Sequence, residues 1–551
     1  MAFKYLEDKK IFIIETDNTA YSFGYHKDGH CKFLYFGEKL YDFNDYPDLS
    51  EYTDRSWWLW DEEHSVRGGA NFNEPLLKIS FENNERDIFT EYKSHSITGN
   101  TLSVVTEDIV HKTEITFIYK IFPECDIISK SVKVKNYSDN TIIIEDLKSG
   151  IFFIPVKNDP LKFTYFSGLW AHETVKSSEF LSDGKKILES RTGQTSVYFN
   201  PFFTADPGNT TEDYGEVWFG ALAWSGNWKI TLHKQKYEMF SVSAGMNDFD
   251  SEFVLNPGEE IISPEFFIGY SSSGYEKVTH NLHDLQKKYF LKSYKAIRPV
   301  LYNSWEATYF DVNYENQSKL AEIASEIGAE IFVTDDGWFG KRNSDRSGLG
   351  DWYVNPDKFP EGLTPLINKV KSLGMEFGLW VEPEMVNPDS ELYKNHPDWI
   401  YRFSGNEPTL WRNQYILNIA KPEVKKYIID FMEKLLSEND IRYIKWDMNR
   451  PILESGNNYG GINTKSVWKD HVDSLYEIWE YLTEKYKNVF FESCSGGGGR
   501  ADLGILKYAD HFWTSDNTDP FDRQFIQNGF SEIYQTKTMY CWVTDWNGRD
   551  T

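Results

Sequence analysis

YIKWDMNR, residues 443–450, starts as an apolar strand and ends on two cations, an acid and an amide. A strand that enters a core finishes this way only if its polar end emerges into water or lines a pocket. Side chains alternate along a strand, so Lys445 and Asp447 point to one face. The same order, apolar first and polar last, recurs through the second half of the chain. The strand candidates are PVLYNSW, EIFVTDDGW, EFGLWVEP, QYILNI, RYIKWDM, VFFESCSG, HFWTSDN and TMYCWVT. Amphipathic segments such as NQSKLAEIASEIGAE and PEVKKYIIDFMEKLLSEN lie between them. Eight strands alternating with helices predict a (β/α)8 TIM-type barrel over residues 298–551. A doubly wound open sheet is the alternative, but no glycine-rich dinucleotide turn follows a strand.

The strand ends carry the chemistry. They are Trp305 and Glu306; Asp335, Asp336 and Trp338; Trp380, Glu382 and Glu384; Arg412 and Asn418; Lys445, Asp447 and Asn449; Glu492, Cys494 and Gly496 to Gly499; Trp513, Asp516 and Asp519. Barrel enzymes build their sites at the carboxyl ends of several strands, so these residues are expected to share one pocket. One such acid alone reads as a solvated loop residue; seven consecutive strand ends do not.

Residues 1–275 read differently. KIFIIET, CKFLYFG, TEITFIYKIF, IISKSVKVKN, VWFGALAWS and similar runs alternate β-branched or aromatic residues between turn formers. They predict an N-terminal antiparallel β-sandwich. YEKVTHNLHDLQKKYFLKS changes period and predicts a connecting helix over 276–297. The chain stops at DWNGRDT, just past the eighth strand candidate. The barrel is therefore expected to be incomplete at its C-terminus.

Composition narrows the partners. A net charge of −27 disfavours nucleic acid and anionic membranes. Aromatics reach 17%, which suits either pleated sheet or the apolar faces of sugar rings. Cys31, Cys125, Cys494 and Cys541 show no metal or disulfide spacing, and the N-terminus lacks an apolar signal core. A reducing cytoplasm is the simplest home. No Ser-His-Asp arrangement, histidine cluster or phosphate loop appears among the strand ends, so neither a metal nor a cofactor is expected. Carboxylates, tryptophans and a few cations remain, a set that suits glycoside hydrolysis by two carboxyl groups.

DDGWF (335–339), LWVEPEMVNPDSELY (379–393), KWDMNR (445–450), ESCSGGGGRADLG (492–504) and WTSDNTD (513–519) occur in an order that resembles glycoside hydrolase family 36, the bacterial α-galactosidases. The resemblance covers most of the chain. It implies a β-supersandwich, a (β/α)8 catalytic barrel and a C-terminal β-domain, the last absent from this sequence. It implies a retaining exo-α-galactosidase acting on galacto-oligosaccharides through a covalent galactosyl-enzyme. By motif, Asp447 is then the nucleophile and Asp516 the general acid/base, with Asp519 the competitor on spacing. Asp335 and Asp336 are expected to hold the 4- and 6-hydroxyls, and Lys445 and Arg412 the 3- and 4-hydroxyls. Asn449, Cys494 and Gly497 are expected on the 2-hydroxyl side. Trp305, Trp380 and Trp513 are expected to wall the sugar, with plain barrel packing as the competing use.

Two segments depart from the family pattern. TMYCWVTDW lacks a Met-Gly-Ala-His-like strand. RSWWLWDEEHSVRGG (55–69) is rich in tryptophan. In the family, a loop of this kind reaches a neighbouring active site in a tetramer, a role open to Asp54, Trp57, Trp58 and Trp60; a hydrophobic patch on the sandwich is the alternative. The rival functions are α-N-acetylgalactosaminidase or α-galactosyl transglycosylation with the same acid pair, and a sugar-binding protein without turnover.

Overall fold

The structure is a computed structural model that describes residues 2–51, 61–68, 74–156, 160–234, 239–293, 295–403, 405–456 and 465–543. Asp54, Trp57, Trp58 and Trp60 lie outside the described residues.

The N-terminal half is antiparallel. A four-stranded meander (Phe3–Leu6, Ile11–Glu15, Thr19–Tyr25, Cys31–Glu38), a six-stranded sheet and a ten-stranded sheet pack around one hydrophobic core. Val104, Ile115, Val132 and Val134 from alternate positions of the ten-stranded sheet meet Phe152 and Ile230 from the six-stranded one in that core. The alternation seen in the sequence is thus the inward face of each sheet. The runs NTIIIEDL and GIFFIPV are parts of one long strand, Ile142–Ile154, with a register shift between Lys148 and Gly150. The hairpin Leu161–Leu169 with His172–Leu181 forms the edge of the ten-stranded sheet. Its second strand, HETVKSSEFL, is largely polar, so no alternation announced it. Helix Gly274–Leu285 follows the sandwich and ends in a π-helical turn, Gln286–Phe290.

The second half is a curled parallel sheet flanked by helices, the TIM-type barrel architecture. Its strands are β1 (Leu301–Asn303), β2 (Ile331–Thr334), β3 (Glu376–Val381), β4 (Tyr443–Trp446), β5 (Phe490–Ser493), β6 (His511–Trp513) and β7 (Met539–Tyr540). They pair in sequence order, all parallel. QYILNI does not join them. Only Tyr415–Ile416 is a strand, and it pairs antiparallel with Met385–Val386 in a small separate sheet. Leu417 N donates to Glu384 O and Asn418 N to Trp399 O, so this segment is bound into the long β3–β4 connection. That leaves β3 beside β4, and TMYCWVT supplies β7 as the seventh parallel strand among the described residues. No helix among the described residues is long and apolar enough to cross a membrane.

Candidate active site

The alternation along β4 sorts YIKWDMNR into two environments. Trp446 points outward, packing on Trp479 at 5.4 Å and donating Nε1–H to Glu384 at 2.8 Å. Lys445 and Asp447 point inward, into a pocket of about 640 Å³ at the carboxyl end of the sheet. The same pocket is lined by Trp305, Asp335, Asp336, Trp380, Arg412, Asn449 and Asp516. Glu306 and Gly496 line it as well, so the structure brings together eleven of the residues singled out by sequence. Cys494, Gly497 and Trp513 lie behind its wall. Trp513 donates Nε1–H to Asp516 Oδ1 at 2.8 Å. The Cys494 thiol is buried beside Asp447, and burial pushes it up.

Asp447 sits in a set of donors that favour its anion. Oδ2 accepts from Trp380 Nε1 at 3.1 Å and Asn449 Nδ2 at 2.7 Å; Oδ1 accepts from Met448 N at 2.8 Å and Gly496 N at 3.3 Å. Burial opposes its charge, but Lys445 and Arg412 outweigh that and hold the carboxyl below the usual aspartate range. Lys445 is itself buried. Asp335 Oδ2, at 3.0 Å, together with the neighbouring Cys494, Glu492 and Asp447, more than offsets that cost and keeps the ammonium charged well above the usual lysine range. Asn303 Nδ2 shares the same carboxylate oxygen at 2.6 Å. Asp336 is gripped bidentately by Arg342, at 2.9 and 2.7 Å. Arg412 has a left-handed backbone (φ 51°) and lines the pocket, near the charges of Glu382, Asp447, Asp516 and Asp336.

Asp516 and Asp519, which spacing left in competition, part company. Asp516 faces the pocket. Asp519 Oδ1 accepts the backbone N–H groups of Phe521 and Asp522, both at 2.9 Å, at the start of helix Asp522–Ile533.

Several residues of the pocket were not found by sequence reasoning. Trp170, in the tip of the sandwich hairpin, donates Nε1–H to Asp516 Oδ2 at 3.0 Å. Ala171, Tyr309, Asn517, Thr518 and Trp542 complete the lining. The single local signal was a tryptophan in the short turn of LWAHET (169–174), which reads equally as a hairpin tip.

Glu382, at the end of β3, is fully buried and accepts from Asn449 N at 2.6 Å and Gln414 Nε2 at 3.0 Å. Burial, then the Asp447 charge, raises it from the ordinary 4.5 to about 8. Between those values the unfolded chain releases a proton that the folded chain keeps. This group's contribution to stability therefore falls as pH rises through that window. E382Q, which does not titrate, is expected to gain thermal stability relative to the wild type as pH rises from about 4.5 to about 8. Gln414 Oε1 has no partner among the described residues, so a flipped Gln414 amide can accept from the new one. Melting curves that stay parallel across the window would show that Glu382 ionises normally.

The chain that carries this pocket matches known proteins in sequence and fold. The Melibiase family model matches residues 261–547, and the glycosyl hydrolase family 36 N-terminal domain matches residues 29–256. An α-galactosidase of Lactobacillus acidophilus, Mel36A, is 33% identical over 100% of this chain and 80% of its own length. AgaA of Geobacillus stearothermophilus is 32% identical over 99% of this chain and 79% of its own length. The crystal structure of AgaB from the same organism superposes with a TM-score of 0.93 at 33% identity, covering 98% of this chain and 78% of that one. An AgaA variant solved in complex with stachyose gives a TM-score of 0.90 at 32% identity, covering 96% and 78%. The chain belongs to glycosyl hydrolase family 36 and is a glycoside hydrolase of the α-galactosidase type.

Proposed function

We propose that the pocket removes terminal α-galactosyl residues from galacto-oligosaccharides by double displacement, with Asp447 as nucleophile and Asp516 as acid and then base. The observation that carries this division of labour is the difference in placement of the two carboxyl groups: Asp447 is buried and Asp516 half-buried. Asp447 is buried among donors and cations that keep it ionised, as a nucleophile requires. Asp516 receives two indole N–H groups, from Trp170 and Trp513, and lies at the pocket where a leaving group can meet it.

In the first step Asp447 forms a bond to the anomeric carbon as the C–O bond to the leaving sugar breaks, and the proton of Asp516 passes to that oxygen. In the second, Asp516 takes a proton from water, whose oxygen displaces Asp447 with a second inversion. Lys445, Asp335, Asp336 and Arg412 supply the hydrogen bonds that select the sugar's hydroxyls, and Trp305 and Trp380 its apolar face. Relatives of this chain have been solved with stachyose and raffinose, which supports sugars of this class as substrates. Cytoplasmic residence goes with this reading, since Cys31, Cys125 and Cys494 are buried thiols of a kind that a reducing compartment preserves.

The test is hydrolysis of p-nitrophenyl α-galactoside and p-nitrophenyl α-N-acetylgalactosaminide, with the anomer first released read by NMR. Turnover of the galactoside alone, releasing α-galactose, is expected. Turnover of the acetamido sugar alone, or release of the β-anomer, would overturn the reading.

A further inference from the structure

The sandwich hairpin that carries Trp170 is tied into the barrel at two loops, and one buried acid makes the tie. Glu173 is 1% exposed. Its carboxylate accepts from Ser515 Oγ, from Ala171 N at 3.2 Å and from Gly498 N at 3.5 Å. Ser515 Oγ also accepts Asn517 N–H at 3.1 Å, and Asn517 Nδ2 donates to Ala171 O at 2.8 Å. Asp516 is thus flanked in sequence by two residues that are both bonded to the hairpin. The second loop is the glycine turn after β5. Gly496 N bonds Asp447 while Gly498 N bonds Glu173, so the turn links the surroundings of both acids. A Cβ on Gly497 (φ +90°) would lie 2.4 Å from Glu173 Oε1 and 3.3 Å from Asp516 N. The Glu173 carboxyl fills the space a side chain there would need.

We propose that Glu173 is a positioning residue for proton donation to the leaving group. From the N-terminal sandwich it fixes the turn Ser515–Asn517, and with it the aim of Asp516, without touching substrate. This rests on Asp516 being the acid/base. Burial raises the Glu173 carboxyl to about 7, so a neutral amide of the same shape is a fair substitute for it.

Proton transfer needs the acid within hydrogen-bonding reach of the leaving oxygen. A departing sugar alkoxide is strongly basic and needs that proton; p-nitrophenolate is stable without it. A residue that only aims the acid therefore matters for one substrate and little for the other. The value of kcat/KM, which reports formation of the glycosyl-enzyme, is to be compared for melibiose and p-nitrophenyl α-galactoside in wild type, D516A, E173A, E173Q and S515A. E173A is expected to lose about 10–100-fold on melibiose and less than about 3-fold on the aryl galactoside. E173Q is expected to recover most of the melibiose loss. S515A, which cuts the same link by removing one hydroxyl, is expected to repeat the selective loss and carries the test if E173A folds poorly. Selective loss in D516A, with equal losses on both substrates in E173A and S515A, would overturn the proposal while leaving the acid/base assignment intact. Equal losses on both substrates in D516A would overturn that assignment, and the proposal with it.

Discussion

D447A is expected to lower kcat on p-nitrophenyl α-galactoside by on the order of 10³-fold or more, since in the proposed mechanism Asp447 forms the covalent intermediate. What distinguishes this loss from general damage is what the truncation leaves behind. Trp380 Nε1, Asn449 Nδ2, Met448 N and Gly496 N all point at the vacated carboxylate, with Lys445 and Arg412 as the nearby cations. An emptied site with that many donors attracts a small anion. Added azide is expected to restore turnover of the aryl galactoside and to yield β-galactosyl azide, because it attacks from the face that Asp447 occupied. A folded D447A with near wild-type turnover, or azide rescue that gives the α-azide, would remove Asp447 from the nucleophile role.

The second large effect is expected at Lys445. K445M leaves Asp335 buried without its cation, and breaking a buried pair in this way costs about 3–5 kcal/mol. The measurement is the urea midpoint. K445M/D335N, which removes both charges, is expected to regain much of that stability but none of the activity. A second consequence concerns pH. The Asp447 carboxyl is depressed chiefly by Lys445 acting against burial; without that cation its pKa rises. A nucleophile must be ionised, so the acid limb of kcat/KM is expected to move to higher pH in K445M. An unchanged acid limb would mean that Lys445 does not tune the nucleophile, and an unchanged urea midpoint would mean that Asp335 finds another partner.

The fold and half of the site were legible because they are written in local periods. Alternation at period two marks the inward faces of the sandwich strands, and the apolar-to-polar run along β4 placed Lys445 and Asp447 on one inward face before any partner was known. The misreading of QYILNI follows from the same reliance. Its apolar residues are buried, as in a barrel strand. Yet burial against the β3–β4 connection and burial in the sheet leave the same local mark.

By itself, then, the sequence determined the sandwich followed by a barrel, the strand ends that carry the site, and the family to which the chain belongs. All of these depend on residues a few positions apart or on motifs read in order. Spacing left Asp516 and Asp519 in competition and the motif favoured Asp516; the tertiary structure puts Asp516 on the pocket and Asp519 at the start of a helix. It alone showed that Trp170 bonds an acid 346 residues away and that Glu173 reaches Ser515 across 342. A hydrogen bond between segments so distant leaves no period in either one. Its donor and acceptor become recognisable only when the sandwich hairpin and the β6 loop have been packed against each other.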